Sequence, residues 1–176
     1  MEVPFLDLKA QHQAIKSKIL PKWEEILDKA AFIGGPYLDA FEKRFAEHCG
    51  VQECIAVSSG TDALQLIFDA MGIGHGDEVI VPVNTFIATA EAVSKVGGTP
   101  VFVDVKPDTY NIDPEKIEAA ITPRTKCIVP VHLYGQMADM DAILEIGNRR
   151  GIPVVEDSAQ AHLAEYKGHR AGSMGL

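Results

Sequence analysis

The chain has 176 residues, of which 47% are hydrophobic and 23% charged, with a mean hydropathy of +0.05 and a net charge of −9. This composition is typical of one globular domain with a substantial core and argues against a disordered or fibrous protein. The basic residues are scattered, so the chain lacks the electrostatic footprint of a nucleic-acid-binding protein. No run of about 18 apolar residues occurs, and position 2 is acidic, so we predict neither a membrane span nor a signal peptide.

The first 50 residues have the spacing of helices. Apolar side chains recur at helical intervals from position 8 to position 30, interrupted by Pro21, which should kink that helix or split it in two. Pro36 suits the first turn of a second helix, and Gly50 is placed to end it. We therefore assign residues 1–50 to an N-terminal helical segment.

From position 51 onward, short apolar runs alternate with helical patterns. We predict strands over 54–57, 78–81, 101–105, 127–131 and 153–156. Their starts lie roughly 25 residues apart, which is the room that a strand, a crossover helix and two loops require. The pattern predicts an α/β fold over 51–176, with a mainly parallel sheet between two layers of helices. Since no covering element follows the last turn signal, we expect the chain to be a fragment truncated at the C-terminus.

Three cysteines, Cys49, Cys54 and Cys127, are widely spaced and form no C-x-x-C pair. An odd number of such residues suits a reducing compartment better than a disulfide framework. We interpret them as small buried thiols of a cytoplasmic protein, and we predict no metal site.

Ligands of parallel α/β sheets bind beyond the carboxyl ends of the strands, so the loops at these ends are the candidate sites. The loop after the first predicted strand, 58–62, brings small hydroxyl residues and Gly60 to the start of a helix. Free N–H groups and the helix dipole favour a phosphate there, although N-capping by Ser59 or Thr61 explains the same residues. Neither G-x-G-x-x-G nor G-x-x-x-x-G-K-[ST] occurs, so a dinucleotide or NTPase site is not supported.

Two further loops carry single candidates. Phe86 follows the second predicted strand and could lie flat against a planar ring, but taken alone such a residue is more often part of the core. His132 follows the fourth predicted strand and could titrate near neutral pH, yet a histidine hydrogen-bonded to the backbone is equally consistent. We leave His132 unassigned.

Glu156 and Asp157 stand where the last predicted strand leaves the core. A carboxylate there costs several kcal/mol unless a cation or hydrogen-bond donors meet it. Either acid could instead cap the next segment or bind an arginine. Because strand residues alternate between faces, only one of the two can face a given ligand.

Together these loops resemble one known family. Residues 59–64, 84–89, 130–135 and 156–162 match, in order, motifs of the DegT/DnrJ/StrS-type sugar aminotransferases, which are pyridoxal-phosphate enzymes of fold type I. The resemblance implies that the predicted sheet is part of the large, cofactor-binding domain. It also implies that the small C-terminal domain of the family is absent from this chain.

The resemblance implies roles for single residues. Asp157 would face the cofactor and keep its pyridine nitrogen protonated, while Glu156 would be structural. Gln160 would bind the oxygen of the cofactor's 3-hydroxyl group, and Phe86 would stack on its ring. The phosphate cradle would consist of Gly60, Thr61 and Asp62, mainly through backbone N–H groups.

The implied reaction is the transfer of an amino group, from glutamate as donor, to a nucleotide-linked keto-sugar by a homodimer. The family's Schiff-base lysine would lie beyond Leu176, and neither Lys126 nor Lys167 matches it. Two alternatives stay open at this point. Some relatives carry histidine in place of that lysine and dehydrate sugars, and a chain without the lysine could be catalytically silent.

Overall fold

The computed structural model describes residues 3–176 and divides into two compact units, of which the first ends at Phe41 and the second covers Glu42–Leu176. Met1 and Glu2 lie outside the described residues. The prediction that the chain has no signal peptide, which rests partly on Glu2, therefore concerns residues that the structure does not describe. The assignment of 1–50 and 51–176 to separate parts of the protein stays a prediction. No helix within 3–176 combines the length and apolarity that crossing a membrane requires.

The N-terminal helix α1 runs over Leu8–Asp28, capped by Asp7, whose side chain accepts from Ala10 N at 3.0 Å. The helix continues through Pro21, so the predicted split does not occur, whereas the alternative of a kink at this residue stays a prediction. Helix α2, Pro36–Cys49, begins at the predicted proline and continues into the second unit. Gly50 follows it with a φ of +72°, a left-handed conformation that glycine adopts without strain.

The second unit contains a parallel sheet in the order β2-β1-β3. Its strands are β1 (Glu78–Pro82), β2 (Thr99–Val103) and β3 (Thr125–Ile128). The helices are α3 (Gly60–Ala70), α4 (Ala88–Lys95), α5 (Pro114–Ala120) and α6 (Met140–Arg150), and a short hairpin of β4 (Glu165–Tyr166) and β5 (His169–Arg170) follows. Three of the five predicted strands are therefore confirmed.

The last predicted strand pairs beside β3 without forming a continuous ladder. Val155 N donates to Ile128 O at 3.0 Å, and Asp157 N donates to Pro130 O at 2.9 Å. Between these two bonds the ladder needs a donor from position 130, and proline has none. The segment still lies parallel to its neighbour, as predicted.

The strand predicted over 54–57 is wrong. No strand of the described residues pairs with this segment, and Ala56 N donates instead to the carboxylate of Glu42 at 2.8 Å. Ile55 is 82% exposed. A strand forms only where a neighbouring strand meets its backbone groups, and an apolar run cannot show whether that neighbour exists.

The two faces of the sheet pack against different helices, because alternate residues of each strand point to opposite sides. Val79 and Val81 belong to one core cluster with Leu64 and Phe68 of α3. Ile80 belongs to the other cluster, which includes residues of α5 and α6 such as Ile117, Met140 and Ile143. The predicted three-layer α/β/α architecture is thus confirmed.

Replacing Ile128 with alanine tests this core, since its side chain is fully buried at the end of β3. We expect the Ile128→Ala variant to lose about 2–5 kcal/mol of unfolding free energy in urea titrations. The matched control is Ile55→Ala, at an exposed isoleucine of the same unit, which should change the value by less than about 0.5 kcal/mol. Equal losses in both variants would contradict the assignment of the core.

Candidate functional site

A cavity of about 200 Å³ lies where β1, the chain after β3 and the 153–157 segment end. Five of the six predicted site residues line it, although they come from separate loops: Gly60, Thr61, Phe86, Asp157 and Gln160. The remaining lining residues are Leu64, Thr85, Ala88, Thr89, Val131 and Ala159. The fold therefore brings together most of the residues that the sequence singled out.

One wall of the cavity is the start of α3. The Ser59 hydroxyl accepts from Asp62 N at 3.1 Å, which confirms Ser59 as the N-cap. The first bond within the helix runs from Ala63 N to Ser59 O at 3.0 Å. The N–H groups of Gly60 and Thr61 thus precede the hydrogen-bonded turns and remain as donors at the positive end of the helix dipole.

Asp62 does not line the cavity. Its N–H is taken by the Ser59 cap, and its carboxylate accepts from the hydroxyl of Ser58. Hydrogen bonds from Ser58 and Ser59 lower the pKa of the Asp62 carboxyl. A role of Asp62 in binding a phosphate stays a prediction.

Phe86 lies in the loop between β1 and α4 and is 69% exposed. Taken alone, Phe86 was more consistent with a core residue, and that interpretation is wrong. Its ring instead forms part of the cavity wall. An exposed aromatic side chain in a concave site is a surface on which a planar ligand can stack.

Asp157 presents a fixed carboxylate to the cavity. Its Oδ2 accepts from the Thr89 hydroxyl at 2.8 Å, and its Oδ1 accepts from Ala159 N at 3.2 Å. Within residues 3–176, no lysine, arginine or histidine forms an ion pair with it. Neutral donors therefore hold this carboxylate in place and leave its charge available to a ligand.

Thr89 is a residue whose part in the site the sequence did not reveal. It is 1% exposed within α4, and it lies 68 positions before the carboxylate it binds. A threonine in a helix usually bonds to its own backbone or to water, so no local pattern indicates this distant partner.

Glu156 points to the opposite face of the segment, as strand alternation predicts. Its Oε2 lies 2.8 Å from Nε2 of His132, and its Oε1 accepts from Met174 N and Gly175 N, both at 2.7 Å. The fully buried His132 accepts at Nδ1 from Ala138 N at 3.1 Å. His132 is thus a neutral ring with its proton on Nε2, donating to Glu156.

Burial acts to raise the pKa of the Glu156 carboxyl. Hydrogen bonds from His132 and from the amides of Gly172, Gly175 and Met174 outweigh this effect, and the resulting pKa is below the usual 4.5. Donors to a carboxylate favour its charged form. Glu156 therefore fastens the chain after the hairpin to the sheet.

Gln160 places its side-chain amide at the cavity rim. Its Oε1 accepts from Tyr134 N at 3.0 Å, which leaves the NH₂ group as a donor. Tyr134 lies in the turn Leu133–Gly135 with a φ of +57°.

Neither lysine considered in the sequence lines the cavity. Lys126 lies in β3, and Lys167 forms an ion pair with Asp141. Lys126 instead lines a larger hollow of about 530 Å³ at the amino end of β3, together with Arg150. That hollow has no aromatic or acidic residue in its lining, and it lies at the end of the strands where parallel sheets do not place their ligands.

The Glu156 network predicts a pH-dependent stability. Because the pKa of Glu156 is lowered on folding, its contribution is complete above about pH 4.5 and is lost as the pH falls through the lower folded value. At neutral pH we expect Glu156→Gln to reduce the unfolding free energy by about 1.5–3 kcal/mol. Urea titrations from about pH 7 to pH 3 should show this difference narrowing at the acidic end.

The matched control for that experiment is Glu145→Gln, at a glutamate whose side chain is 76% exposed. It should have little effect at any pH in the series. A constant difference between Glu156→Gln and the unchanged chain across the series would contradict the assigned role of the charge.

Comparisons with known proteins identify the family of the chain. Residues 13–176 match the DegT/DnrJ/EryC1/StrS aminotransferase family. The chain is 51% identical over 169 residues to UDP-2-acetamido-2-deoxy-3-oxo-D-glucuronate aminotransferase of Pseudomonas aeruginosa. The aligned region covers 96% of this chain and 47% of that protein. It thus spans about half the length of the curated relatives that it matches.

Two solved structures share the fold. A DegT DnrJ EryC1 StrS aminotransferase from Brucella abortus has a TM-score of 0.95 and 40% identity, over 99% of this chain and 48% of that one. NtdA from Bacillus subtilis, solved with bound cofactor PMP, has a TM-score of 0.87 and 46% identity, over 91% of this chain and 37% of that one. The family match and the shared fold show that the chain belongs to the DegT/DnrJ/EryC1/StrS aminotransferase family.

Proposed function

We propose that a full-length protein containing this chain is a pyridoxal-phosphate-dependent aminotransferase. It transfers an amino group from glutamate to a nucleotide-linked keto-sugar. The observation that carries the proposal is the Asp157 carboxylate, which neutral donors fix at the cavity wall without an ion-pair partner among the described residues. A heterocycle with a protonated nitrogen supplies the charge that such a carboxylate favours.

The other cavity residues fit the remaining parts of pyridoxal phosphate. Phe86 offers a flat surface for the ring, and the N–H groups of Gly60 and Thr61 suit its phosphate. The NH₂ group of Gln160 is a donor for the ring oxygen. A Cβ built on Gly60 would have Ala159 Cβ, 4.0 Å away, as its nearest neighbour, so there is open space at the helix start.

The chain's residues would act on this cofactor by position and charge. When bound, pyridoxal phosphate supplies an electron-withdrawing ring that stabilises negative charge at the substrate carbon. Asp157 holds the proton at the ring nitrogen, and Thr89 keeps the carboxylate oriented. Phe86 excludes water from one face of the ring, and the start of α3 holds the phosphate.

The relatives support transfer rather than dehydration or a silent chain. The Pseudomonas aeruginosa protein is named as an aminotransferase of a UDP-linked oxo-sugar, and the Bacillus subtilis structure holds the cofactor PMP, which we take to be the amine form of pyridoxal phosphate. We also propose that the full-length protein is a homodimer, as the family resemblance implies. A cytoplasmic location is supported by the three unpaired cysteines.

The role of Asp157 can be tested in the full-length protein with Asp157→Asn. A neutral amide cannot hold a positive charge on the ring nitrogen, so kcat for amino transfer should fall about 10²–10³-fold while the cofactor remains bound. Steady-state kinetics and the cofactor absorbance measure the two quantities. Asp69→Asn, at an exposed aspartate of α3, is the control and should retain its rate. Unchanged turnover in Asp157→Asn would refute the assignment.

Cofactor binding can be measured on the 176-residue chain by fluorescence titration with pyridoxal phosphate. We expect Phe86→Ala to weaken binding by about 2–12-fold, because it removes the stacking surface. Phe102→Ala is the matched control, since Phe102 is also exposed but lies in β2 away from the cavity. If both variants bind like the unchanged chain, the cavity is not the cofactor site.

A further inference from the structure

Asn111 is a buried polar residue outside the cavity, and both polar atoms of its side chain form hydrogen bonds to the backbone of one turn. It is 3% exposed. Its Oδ1 accepts from Leu133 N at 3.0 Å, and its Nδ2 donates to Gln136 O at 3.0 Å and to Met137 O at 3.1 Å. A single amide thus fastens both ends of the turn formed by residues 133–137.

The turn that Asn111 fastens has an uncommon backbone. Tyr134 has φ +57° and ψ +23°, a left-handed conformation that residues with a side chain adopt rarely and at an energetic cost. Such a conformation persists only where surrounding contacts impose it. The bonds from Asn111 are contacts of this kind, and a further one, from His132 N to Asp157 O at 3.0 Å, fixes the start of the turn.

The turn directs one backbone N–H at the site. Tyr134 N donates to Gln160 Oε1 at 3.0 Å, whereas the side chain of Tyr134 is 73% exposed. With its oxygen held in this way, the amide of Gln160 is oriented and its NH₂ group is available to donate to a ligand. Gln160 is itself an exposed residue, so this bond restricts a side chain that would otherwise sample several rotamers.

We propose that Asn111 is a positioning residue for the cofactor. It sets the 133–137 turn so that Tyr134 N orients the amide of Gln160 before any ligand arrives. The advantage is preorganisation, since a side chain that is already ordered loses less entropy on binding. The inference rests on the proposed function, because the acceptor assigned to the Gln160 NH₂ group is the ring oxygen of pyridoxal phosphate.

The first test needs no ligand. In ¹⁵N NMR spectra of the 176-residue chain, the side-chain amide of Gln160 should be ordered, with an order parameter near that of the rigid backbone. In Asn111→Ala the Gln160 amide should become mobile. The side-chain amide of Asn84 is the internal control, and its order parameter should stay unchanged. An equally ordered Gln160 amide in a folded Asn111→Ala variant would overturn the proposal.

Two further variants separate positioning from general stability. Asn111→Asp keeps the acceptor for Leu133 N but loses both donors, so it should mobilise the Gln160 amide even if Asn111→Ala does not fold. Tyr134→Gly keeps the N–H group in a conformation that glycine adopts freely, so Gln160 should stay ordered. Asn148→Ala, at an exposed asparagine of α6, is the control for losing an amide elsewhere. A mobile Gln160 amide in Tyr134→Gly, or an ordered one in Asn111→Asp, would count against the proposal that Asn111 orients Gln160 through the 133–137 turn.

Binding of pyridoxal phosphate provides the second readout. We expect its Kd to rise about five- to tenfold in Asn111→Asp and to stay within about twofold in Asn148→Ala. An unchanged Kd in Asn111→Asp would overturn the link to the cofactor. Failure of the full-length protein to bind pyridoxal phosphate would refute the proposed function, whereas the ligand-free NMR test of the contact between Asn111 and the 133–137 turn would stand independently.

Discussion

The candidate site depends on the parallel pairing of the 153–157 segment with the chain after β3. Two backbone bonds, from Asp157 N to Pro130 O and from His132 N to Asp157 O, fix the register at the end of this pairing. A shift of one residue would exchange the faces of Glu156 and Asp157. Glu156 would then face the cavity, and Asp157 would face the core without its present donors. The register of this pairing therefore decides which of the two carboxylates lines the cavity.

The two neighbouring acids have different environments, and this difference decides what each can do. Glu156 is saturated by donors from His132 and from the chain after the hairpin, which lower its pKa and tie it to the structure. Asp157 has two neutral donors, and these orient it without neutralising its charge. A buried carboxylate is stable only with such partners. The same residue chemistry thus gives a structural anchor on one face and a cavity-facing carboxylate on the other.

Hydrogen bonds between distant segments hold the cavity rim. Asn111, on the connection that precedes α5, holds the 133–137 turn, and the turn holds Gln160. Thr89 in α4 holds Asp157 in the same manner. Rigid elements beneath a loop are what keep binding groups within a few tenths of an ångström of their places. The site is therefore a property of several layers of the fold.

The sequence by itself determined the layered α/β architecture, three strands, a helix cap at Ser59 or Thr61 and five of the residues that line the cavity. These features depend on local periodicity, on capping chemistry and on motifs that resemble a known family. Tertiary structure decided the rest. The run 54–57 meets no partner strand in the described chain. The contacts of Thr89 and Asn111 were also hidden, because hydrogen bonds between residues far apart in the chain have no periodic or local signature, and only the folded chain brings their partners together.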